Sequence, residues 1–268
     1  MLKRIIVGAS IAGLGWVSYV AVRRWRATWG VDPDESARTL PGDDLVPAAM
    51  SSDTRGITIE APADLVWPWL VQMGYGRGGW YSIDQLDMRG SSADRIVEAW
   101  QTLAVGDVVP THPGGGFAVK VLEPGRALVL YADTATMQPP EASEHEAVPA
   151  GLAASGAFLS TTPGEFAASW AFVVESLDTR RTRLIERVRY WGEEGSPVTK
   201  VALSALGFGV FVMMQRQMVG IRTRAEQLAV ERSLQAADVS PSAGATARST
   251  GNGHAPELKE FVGTAEQA

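Results

Sequence analysis

The residues in this sequence that are suited to chemistry are few and scattered. The titratable candidates are Glu186, Asp84, Asp107 and His112. General acid–base catalysis needs a group of this kind inside a pocket. No Ser-His-Asp arrangement and no pair of carboxylates stands out, so we assign no catalytic residue and lean against an enzyme. Glu186 is the one weak candidate.

Glu186 lies on a predicted strand, Thr182 to Trp191, on the face that also carries Leu184, Val188 and Tyr190. The other face carries three arginines, so we expect that face to be exposed and the Glu186 face to be buried. Two interpretations of Glu186 stay open. It lies near the sheet edge or pairs with an arginine of a neighbouring element, because a buried acid needs a partner. Alternatively, it is a cavity carboxylate with a raised pKa that binds or protonates a ligand.

Metal and cofactor chemistry finds little support in the sequence. The chain has no cysteine, which excludes disulfides, thiol catalysis and cysteine metal sites. Glu144-His145-Glu146 is interpreted as a solvated loop, because no second histidine lies at ligand spacing. Gly74, Gly76 and Gly79 match G-x-G-x-x-G but follow a predicted helix instead of a strand, which indicates a flexible turn and not a dinucleotide site. We therefore expect no metal and no cofactor.

The distribution of charge excludes nucleic acid as a partner. The first 30 residues contain five positive side chains and no acid, whereas the remaining 238 residues carry a net charge of −11. A domain this acidic is a poor binder of nucleic acid.

The N-terminus, residues 1–30, predicts a membrane anchor. Ile5 to Val22 is an uncharged run of 18 residues between Lys3-Arg4 and an arginine cluster that begins at Arg23. A helix of this length spans about 27 Å, close to the hydrocarbon core of a bilayer. A cleaved signal sequence and a buried helix are the alternatives, and the length of the run favours the anchor. We expect a single-pass membrane protein, with a slight lean toward a cytoplasmic C-terminal domain.

The rest of the chain predicts an antiparallel sheet followed by a long helix. Residues 31–55 show no period and are interpreted as a linker, or as an extended segment laid over the domain surface. Residues 56–232 form the predicted main domain, with a long loop over 132–164, and residues 233–268 form a disordered tail. Alternation and helical period predict strands and helices over the following ranges: Thr54–Glu60, Val105–Val109, Phe117–Leu122, Ala127–Tyr131, Phe166–Leu177 and Thr182–Trp191 as strands, and Ala61–Met73, Ser92–Trp100 and Pro197–Arg232 as helices.

The last of these helices is apolar on all sides over Val201 to Met214, where Ser204 is the one polar side chain. Such a helix must be covered on more than one side. We expect one side to lie against the sheet. The other side is expected to rest on a bilayer, on the N-terminal helix or on another copy of the chain, which gives self-association through this face.

The order of elements and several local stretches resemble the SRPBCC (START-like, polyketide cyclase/dehydratase) superfamily, and in particular its membrane-anchored actinobacterial members. The stretches that carry the resemblance are Leu40–Pro47, Ile57–Pro62, Val66–Gly74, Gly76–Ser82, Ser92–Ile96, Val105–Asp107, Trp170–Val173 and Arg181–Ile185, together with the terminal helix. The resemblance implies an α+β helix-grip fold, in which a curved antiparallel sheet wraps around a long C-terminal helix, preceded by one transmembrane helix. It also implies an apolar cavity between sheet and helix, but no single reaction, because the superfamily mixes binders, transporters and cyclases.

The leading hypothesis is a membrane-tethered binding protein for a hydrophobic small molecule, lipid or polyketide-like. Aromatic side chains from the sheet, the glycine turn and the helix are expected to surround one space, with Trp80 and Tyr81 at its mouth. The predicted ligand-binding residues are Trp80, Tyr81, Trp170, Phe172, Glu186, Tyr190, Phe208, Phe211 and Met214. The alternatives are a cyclase or dehydratase with a cavity acid or base, a membrane-assembly partner, and a solid core without a cavity, since close packing is the default for protein interiors.

Overall fold

The computed structural model describes residues 2–87, 90–112, 115–136, 165–193 and 197–239, and it leaves the side chains of residues 2–14, 87, 112, 197–206 and 239 undescribed. The Glu144-His145-Glu146 segment, most of the loop over 132–164 and the tail beyond residue 239 therefore lie outside the described residues. Residues Met1–Val230 form one compact unit. Glu231–Ala268 form a second unit, whose described part is the exposed end of the last helix.

Six antiparallel strands form one curved sheet in the order β1-β6-β5-β4-β3-β2. Sequential strands from β2 to β6 are neighbours, as short connections favour, and β1 pairs with β6. The bounds are β1 Ser51–Ile59, β2 Val108–His112, β3 Gly115–Glu123, β4 Ala127–Asp133, β5 Phe166–Ser176 and β6 Thr182–Gly192. The α+β class, the curved antiparallel sheet and the long C-terminal helix predicted from the sequence are confirmed.

Five α-helices accompany this sheet in the described part of the chain. They are α1 Leu2–Ala27, α2 Pro33–Ala37, α3 Ala63–Val71, α4 Asp84–Asp87 and α5 Pro197–Val239, with 3₁₀ turns at Asp43–Leu45 and Glu98–Trp100. Over the described residues, no helix is both long enough and apolar enough to cross a membrane.

The main core lies between the inner face of the sheet, helix α3 and the middle of α5. Helix α5 contributes Met218, Ile221 and Ala225, which recur on one face of the helix at the spacing that buries an apolar stripe. Gly220, on the same helix, approaches the backbone of Tyr81 so closely that a Cβ atom would overlap its carbonyl oxygen. The sheet and α3 supply most of the other buried side chains, including Ile57, Ile59, Leu65, Trp69, Leu70, Leu128, Leu130, Phe172, Val174 and Leu184.

Several predicted element bounds differ from the structure. β1 begins at Ser51 instead of Thr54, and α5 continues past Arg232 to Val239. The predicted helix over Ser92–Trp100 is wrong, since only the 3₁₀ turn at its end is helical. Ser92 instead donates through its hydroxyl to the carboxylate of Asp84, which holds the segment as a loop. Polar side chains of this kind compete with helical hydrogen bonds.

The outer face of β6 departs most from expectation, because the predicted exposed arginine face is covered. Arg187 is only 3% exposed. Its guanidinium binds the carboxylate of Asp43 at 2.7 Å and donates to the carbonyl oxygens of Arg38 and Ser36 at 2.8 and 2.9 Å. Because a guanidinium carries five donors, one side chain can hold this many acceptors in a nearly buried position.

The segment that precedes β1 is held to the outer face by two further contacts. Arg183 binds both carboxylate oxygens of Glu35, at 2.8 and 2.7 Å. Leu40 packs against Val173 and Ile185, the apolar side chains on this side of the sheet. The two faces of the sheet therefore carry different cores. The inner face carries the large, mainly apolar core, and the outer face carries a small apolar cluster beside the arginine ion pairs.

Candidate functional site

The alternation along β6 places Glu186 on the inner face of the sheet, as the sequence predicts. It stands opposite Arg55 on β1 and Phe172 on β5, and none of its surface is exposed. Its Oε1 atom accepts a hydrogen bond from the indole Nε1–H of Trp170 at 2.6 Å. Its Oε2 atom is buried and has no hydrogen-bond partner. Glu186 is therefore an interior carboxylate with one oxygen unused.

Arg55 is the cationic neighbour of Glu186, and the sequence analysis missed it. The side chain is 2% exposed, and its Nη2 atom binds the Asp53 carboxylate at 2.8 Å. Its Nη1 atom donates to the sulfur of Met214 at 3.2 Å, and its guanidinium lies 5.5 Å from the ring centre of Phe211. Alternation is the signal that could have identified it, because Arg55 lies inside the predicted strand Thr54–Glu60 with the same parity as Ile57 and Ile59.

Burial raises the pKa of Glu186 to about 7, and the nearby Asp53 carboxylate adds to this effect. The positive charge of Arg55 and the hydrogen bond from Trp170 oppose it without cancelling it. Removal from water disfavours the charged form of an acid, and here Arg55 is already paired with Asp53. Near neutral pH, Glu186 therefore exists in both protonation states, so it can accept or donate a hydrogen bond and can exchange a proton with a bound molecule.

An aromatic cluster surrounds the Trp170 side of this carboxylate. The rings of Trp170 and Trp80 are stacked, with centroids 5.4 Å apart and planes 15° apart. Phe172 and Phe117 contact the same indole at centroid distances of 5.1 and 5.8 Å. Such offset and edge contacts are favourable aromatic arrangements. The structure thus brings the predicted residues Trp80, Trp170, Phe172 and Glu186 together.

Tyr81 lies in the interior beside α5, not at an exposed rim. Its backbone has φ of 57°, the left-handed region that non-glycine residues rarely adopt. Its hydroxyl donates to the carbonyl oxygen of Trp69 at 3.1 Å, and Arg224 lies 4.8 Å from the centre of its ring. Burial raises the pKa of this phenol well above its ordinary value. These contacts hold the Trp80–Tyr81 segment between α3 and α5.

Three of the predicted ligand-binding residues lie on α5. Phe211 and Met214 are buried, whereas Phe208 is 50% exposed. The ring of Phe208 lies 6.2 Å from that of Phe211, and the ring of Trp25 of α1 lies 5.3 Å from Phe211 on centroid distances. Tyr190 is half-buried near the end of β6.

Gln217, one turn beyond Met214 on α5, is a second residue that the sequence analysis missed. It is 2% exposed, its Nε2 atom donates to the sulfur of Met73 at 3.4 Å, and its Oε1 atom has no hydrogen-bond partner. A polar side chain on the apolar stripe of a helix is the signal that would have identified it.

The remaining titratable candidates have structural contacts. Asp84 accepts from the backbone N–H of Ser92 at 2.9 Å, and Asp107 accepts from the backbone N–H of Ala104 at 2.8 Å, closing a turn. The side chain of His112 is outside the described residues. Within the described ranges, no three potential metal ligands lie close enough together to hold an ion.

Comparison with known proteins gives only distant structural similarity. No family model matches the sequence, and no curated protein matches it. A solved structure of protein MLL2253 from Mesorhizobium loti is 14% identical over 66% of this chain and 98% of its own, with a TM-score of 0.33. The hypothetical protein jhp0584 from Helicobacter pylori is 13% identical over 70% of this chain and 96% of its own, with a TM-score of 0.37. The Zhui aromatase/cyclase from Streptomyces sp. R1128 is 13% identical over 70% of this chain and 97% of its own, with a TM-score of 0.26. Similarity at this level carries no information on activity.

Proposed function

We propose that this protein binds a hydrophobic small molecule, lipid or polyketide-like, between the inner face of its sheet and helix α5. The observation that carries the proposal is Glu186, a fully buried ionisable side chain with an unpartnered oxygen beside a cluster of aromatic rings. A buried polar atom without a partner costs stability and is rare, and a bound ligand can supply the missing hydrogen bond.

The surroundings of Glu186 support this proposal. Trp80, Trp170, Phe117 and Phe172 form one connected aromatic cluster beside it. Binding sites for small molecules are lined mainly by apolar and aromatic side chains, with a small number of polar groups that fix the orientation of the ligand. The antiparallel sheet closed by a C-terminal helix is also the arrangement implied by the resemblance to SRPBCC proteins.

The test is to extract the purified full-length protein with organic solvent and to identify any released molecule by mass spectrometry. We expect an apolar compound in the wild-type extract, and a rise in melting temperature when the emptied protein is titrated with that compound. Phe172→Leu, which removes the ring beside Trp170 while keeping an apolar side chain, should retain less of it. An empty extract together with no thermal shift across a panel of lipids and aromatic polyketides would refute the proposal.

We further propose that the protein works at a membrane, with α1 in contact with the lipid surface. The supporting observation is a patch of exposed aromatic side chains on α1, formed by Trp16 and Tyr19, whose ring centroids are 5.8 Å apart. Trp25, further along the helix, is also exposed and lies beside the exposed Arg23 and Arg24. Tryptophan and tyrosine are favoured at the headgroup level of bilayers, and arginines are attracted to anionic lipids. Trp25 contacts Phe211 of α5, which also contacts the exposed Phe208.

Vesicle sedimentation tests the membrane contact. The wild-type protein should sediment with vesicles that contain phosphatidylserine, and the double variant Trp16→Ser, Trp25→Ser should sediment several-fold less. Met50→Ser removes an exposed apolar side chain just before β1 and serves as the matched control. If the double variant binds as well as the wild-type protein, α1 is not the lipid contact. If purified protein forms a dimer that the same variant abolishes without any vesicle binding, the patch is a self-association surface instead.

A further inference from the structure

Three buried polar side chains beneath α5 each have one atom without a partner. These atoms are Oε2 of Glu186, Nε of Arg55 and Oε1 of Gln217. Their residues are 0%, 2% and 2% exposed, so bulk water does not replace the missing hydrogen bonds. Unpartnered buried groups are rare in folded proteins, so three of them on side chains close to α5 require an explanation.

Arg55 and Glu186 lie in one layer between β1, β6 and α5, and Gln217 is connected to this layer through α5. Arg55 and Glu186 face each other across the β1–β6 pair, where side chains on one face have Cβ atoms about 5 Å apart. Arg55 reaches the helix by donating to Met214, and Gln217 lies one helical turn further along the same face. Arg55 also pairs with Asp53. The Asp53 side chain is 32% exposed, so this ion pair connects the buried layer to the protein surface.

The three atoms without hydrogen-bond partners indicate which chemical group of a ligand could bind to them. Glu186 and Gln217 each present an oxygen that accepts, and Arg55 presents an N–H that donates. A hydroxyl group carries one donor and two acceptor lone pairs, so one hydroxyl can donate to Glu186 or Gln217 while accepting from Arg55. A protonated amine has donors only and would leave the Arg55 N–H unpaired beside a second cation.

The balance of charge argues against an anionic ligand group. The layer contains two carboxyls, Asp53 and Glu186, and one guanidinium, which Asp53 already binds at 2.8 Å. A fatty-acid carboxylate or a phosphate placed here would meet Glu186 without a free cation to balance it. Burial would make that repulsion costly, because charges in the interior are weakly screened.

We propose that Arg55, Glu186 and Gln217 form a recognition site for the hydroxyl group of an uncharged, otherwise apolar ligand. This inference rests on the proposed binding function and specifies the chemical class of the ligand. Asp53 is the positioning residue of the site, since it holds the guanidinium of Arg55 in place.

The experiment compares probes that share an apolar body and differ in one group. The full-length protein is titrated at pH 8 with 1-dodecanol, dodecanoate and dodecylamine, and with naphthalene, 2-naphthol and 2-naphthoate, while tryptophan fluorescence is followed. Within each series, we expect the hydroxyl compound to bind about tenfold more tightly than the anion, because the hydroxyl can donate to Glu186 whereas the anion meets this carboxylate without a free cation. 2-Naphthol should also bind more tightly than naphthalene.

Three variants identify the residues responsible. Glu186→Leu and Gln217→Leu replace the polar groups by apolar side chains of similar size, which the interior is expected to tolerate. Each should weaken binding of 2-naphthol about tenfold and leave naphthalene unchanged. Glu186→Leu should in addition strengthen binding of 2-naphthoate. Glu98→Gln, at an exposed site, is the control. Circular dichroism confirms that each variant is folded.

The outcomes separate the inference from the function on which it rests. If the acids bind as tightly as the alcohols, or if both leucine variants bind 2-naphthol normally, the hydroxyl site is refuted and apolar binding stands. If no probe binds to the wild-type protein, naphthalene and 1-dodecanol included, the inference and the proposed function both fail, and the three polar atoms are satisfied by buried water alone.

Discussion

Replacing Glu186 by glutamine should make the protein more stable, and increasingly so as the pH rises. The pKa of this carboxyl is raised from an ordinary value of 4.5 to about 7 in the folded protein, mainly by burial. Between these two pH values the folded protein holds a proton that the unfolded chain has released. The free energy of unfolding of the wild-type protein therefore falls as the pH rises from about 4.5 to about 7.

The size of the effect follows from the shift in pKa. Each pKa unit corresponds to about 1.4 kcal/mol, so the ionised Glu186 costs the folded state about 3 kcal/mol above pH 7 and almost nothing below pH 4.5. Glutamine keeps an oxygen that accepts from the indole of Trp170 and has no charge to bury. The difference in free energy of unfolding, variant minus wild type, should thus rise by about 3 kcal/mol between pH 4 and pH 8.

Urea unfolding followed by circular dichroism at pH 4, 5, 6, 7 and 8 measures this difference, because the other titrating groups are common to both proteins. Glu98→Gln makes the same chemical change at an exposed site and should give a small difference at every pH. A Glu186 difference that stays constant with pH would mean that Arg55 compensates the buried charge. A difference that decreases toward pH 8 would mean that the ion pair dominates burial, and the account of the site given above would be wrong.

Two further substitutions test the packing around the sheet. Arg187→Ala should lower the free energy of unfolding by about 3 kcal/mol or more, because it leaves Asp43 without its buried partner. Arg187→Lys should recover only part of this loss, because an ammonium group cannot reach all the acceptors that the guanidinium binds. Gly220→Ala should destabilise the protein by about 1–3 kcal/mol, because the new Cβ atom overlaps the carbonyl oxygen of Tyr81. Gly209→Ala on the same helix, where a Cβ atom meets nothing, is the control and should be neutral or stabilising. Urea unfolding at pH 7 measures both, and an unchanged midpoint for Arg187→Ala or Gly220→Ala would refute the corresponding contact.

The order of elements and the orientation of Glu186 were predictable, because both depend on local periodicity. Strands β5 and β6 pair continuously around a short turn, which fixes which side chains share a face. The parity of Glu186 relative to Leu184 places the two side chains on the same face of the sheet.

The partners of Glu186 were not predictable in the same way. Arg55 lies far from Glu186 in the sequence, and their proximity depends on the register of β1 against β6, which no local pattern encodes. The burial of the arginines on the outer face of β6 was also not predictable from local sequence. Three arginines on one side of a strand indicate solvent unless acids elsewhere in the chain return to cover them, as Glu35 and Asp43 do. Long-range ion pairs override the local rule that charged faces are exposed.

Burial of the Glu186 carboxylate lowers the stability of the folded protein, while the same carboxylate is proposed to bind the ligand. This combination distinguishes a residue that serves binding from one that holds the fold together. A residue that held the fold together would weaken both stability and ligand binding when replaced. Here, Glu186→Gln removes a charge that destabilises the folded state, while Glu186→Leu also removes the group proposed to meet the ligand hydroxyl. Proteins retain costly polar groups chiefly where function requires them. The expected signature is therefore a pair of variants at one position that are both at least as stable as the wild-type protein at pH 8, of which the leucine variant no longer prefers 2-naphthol to naphthalene.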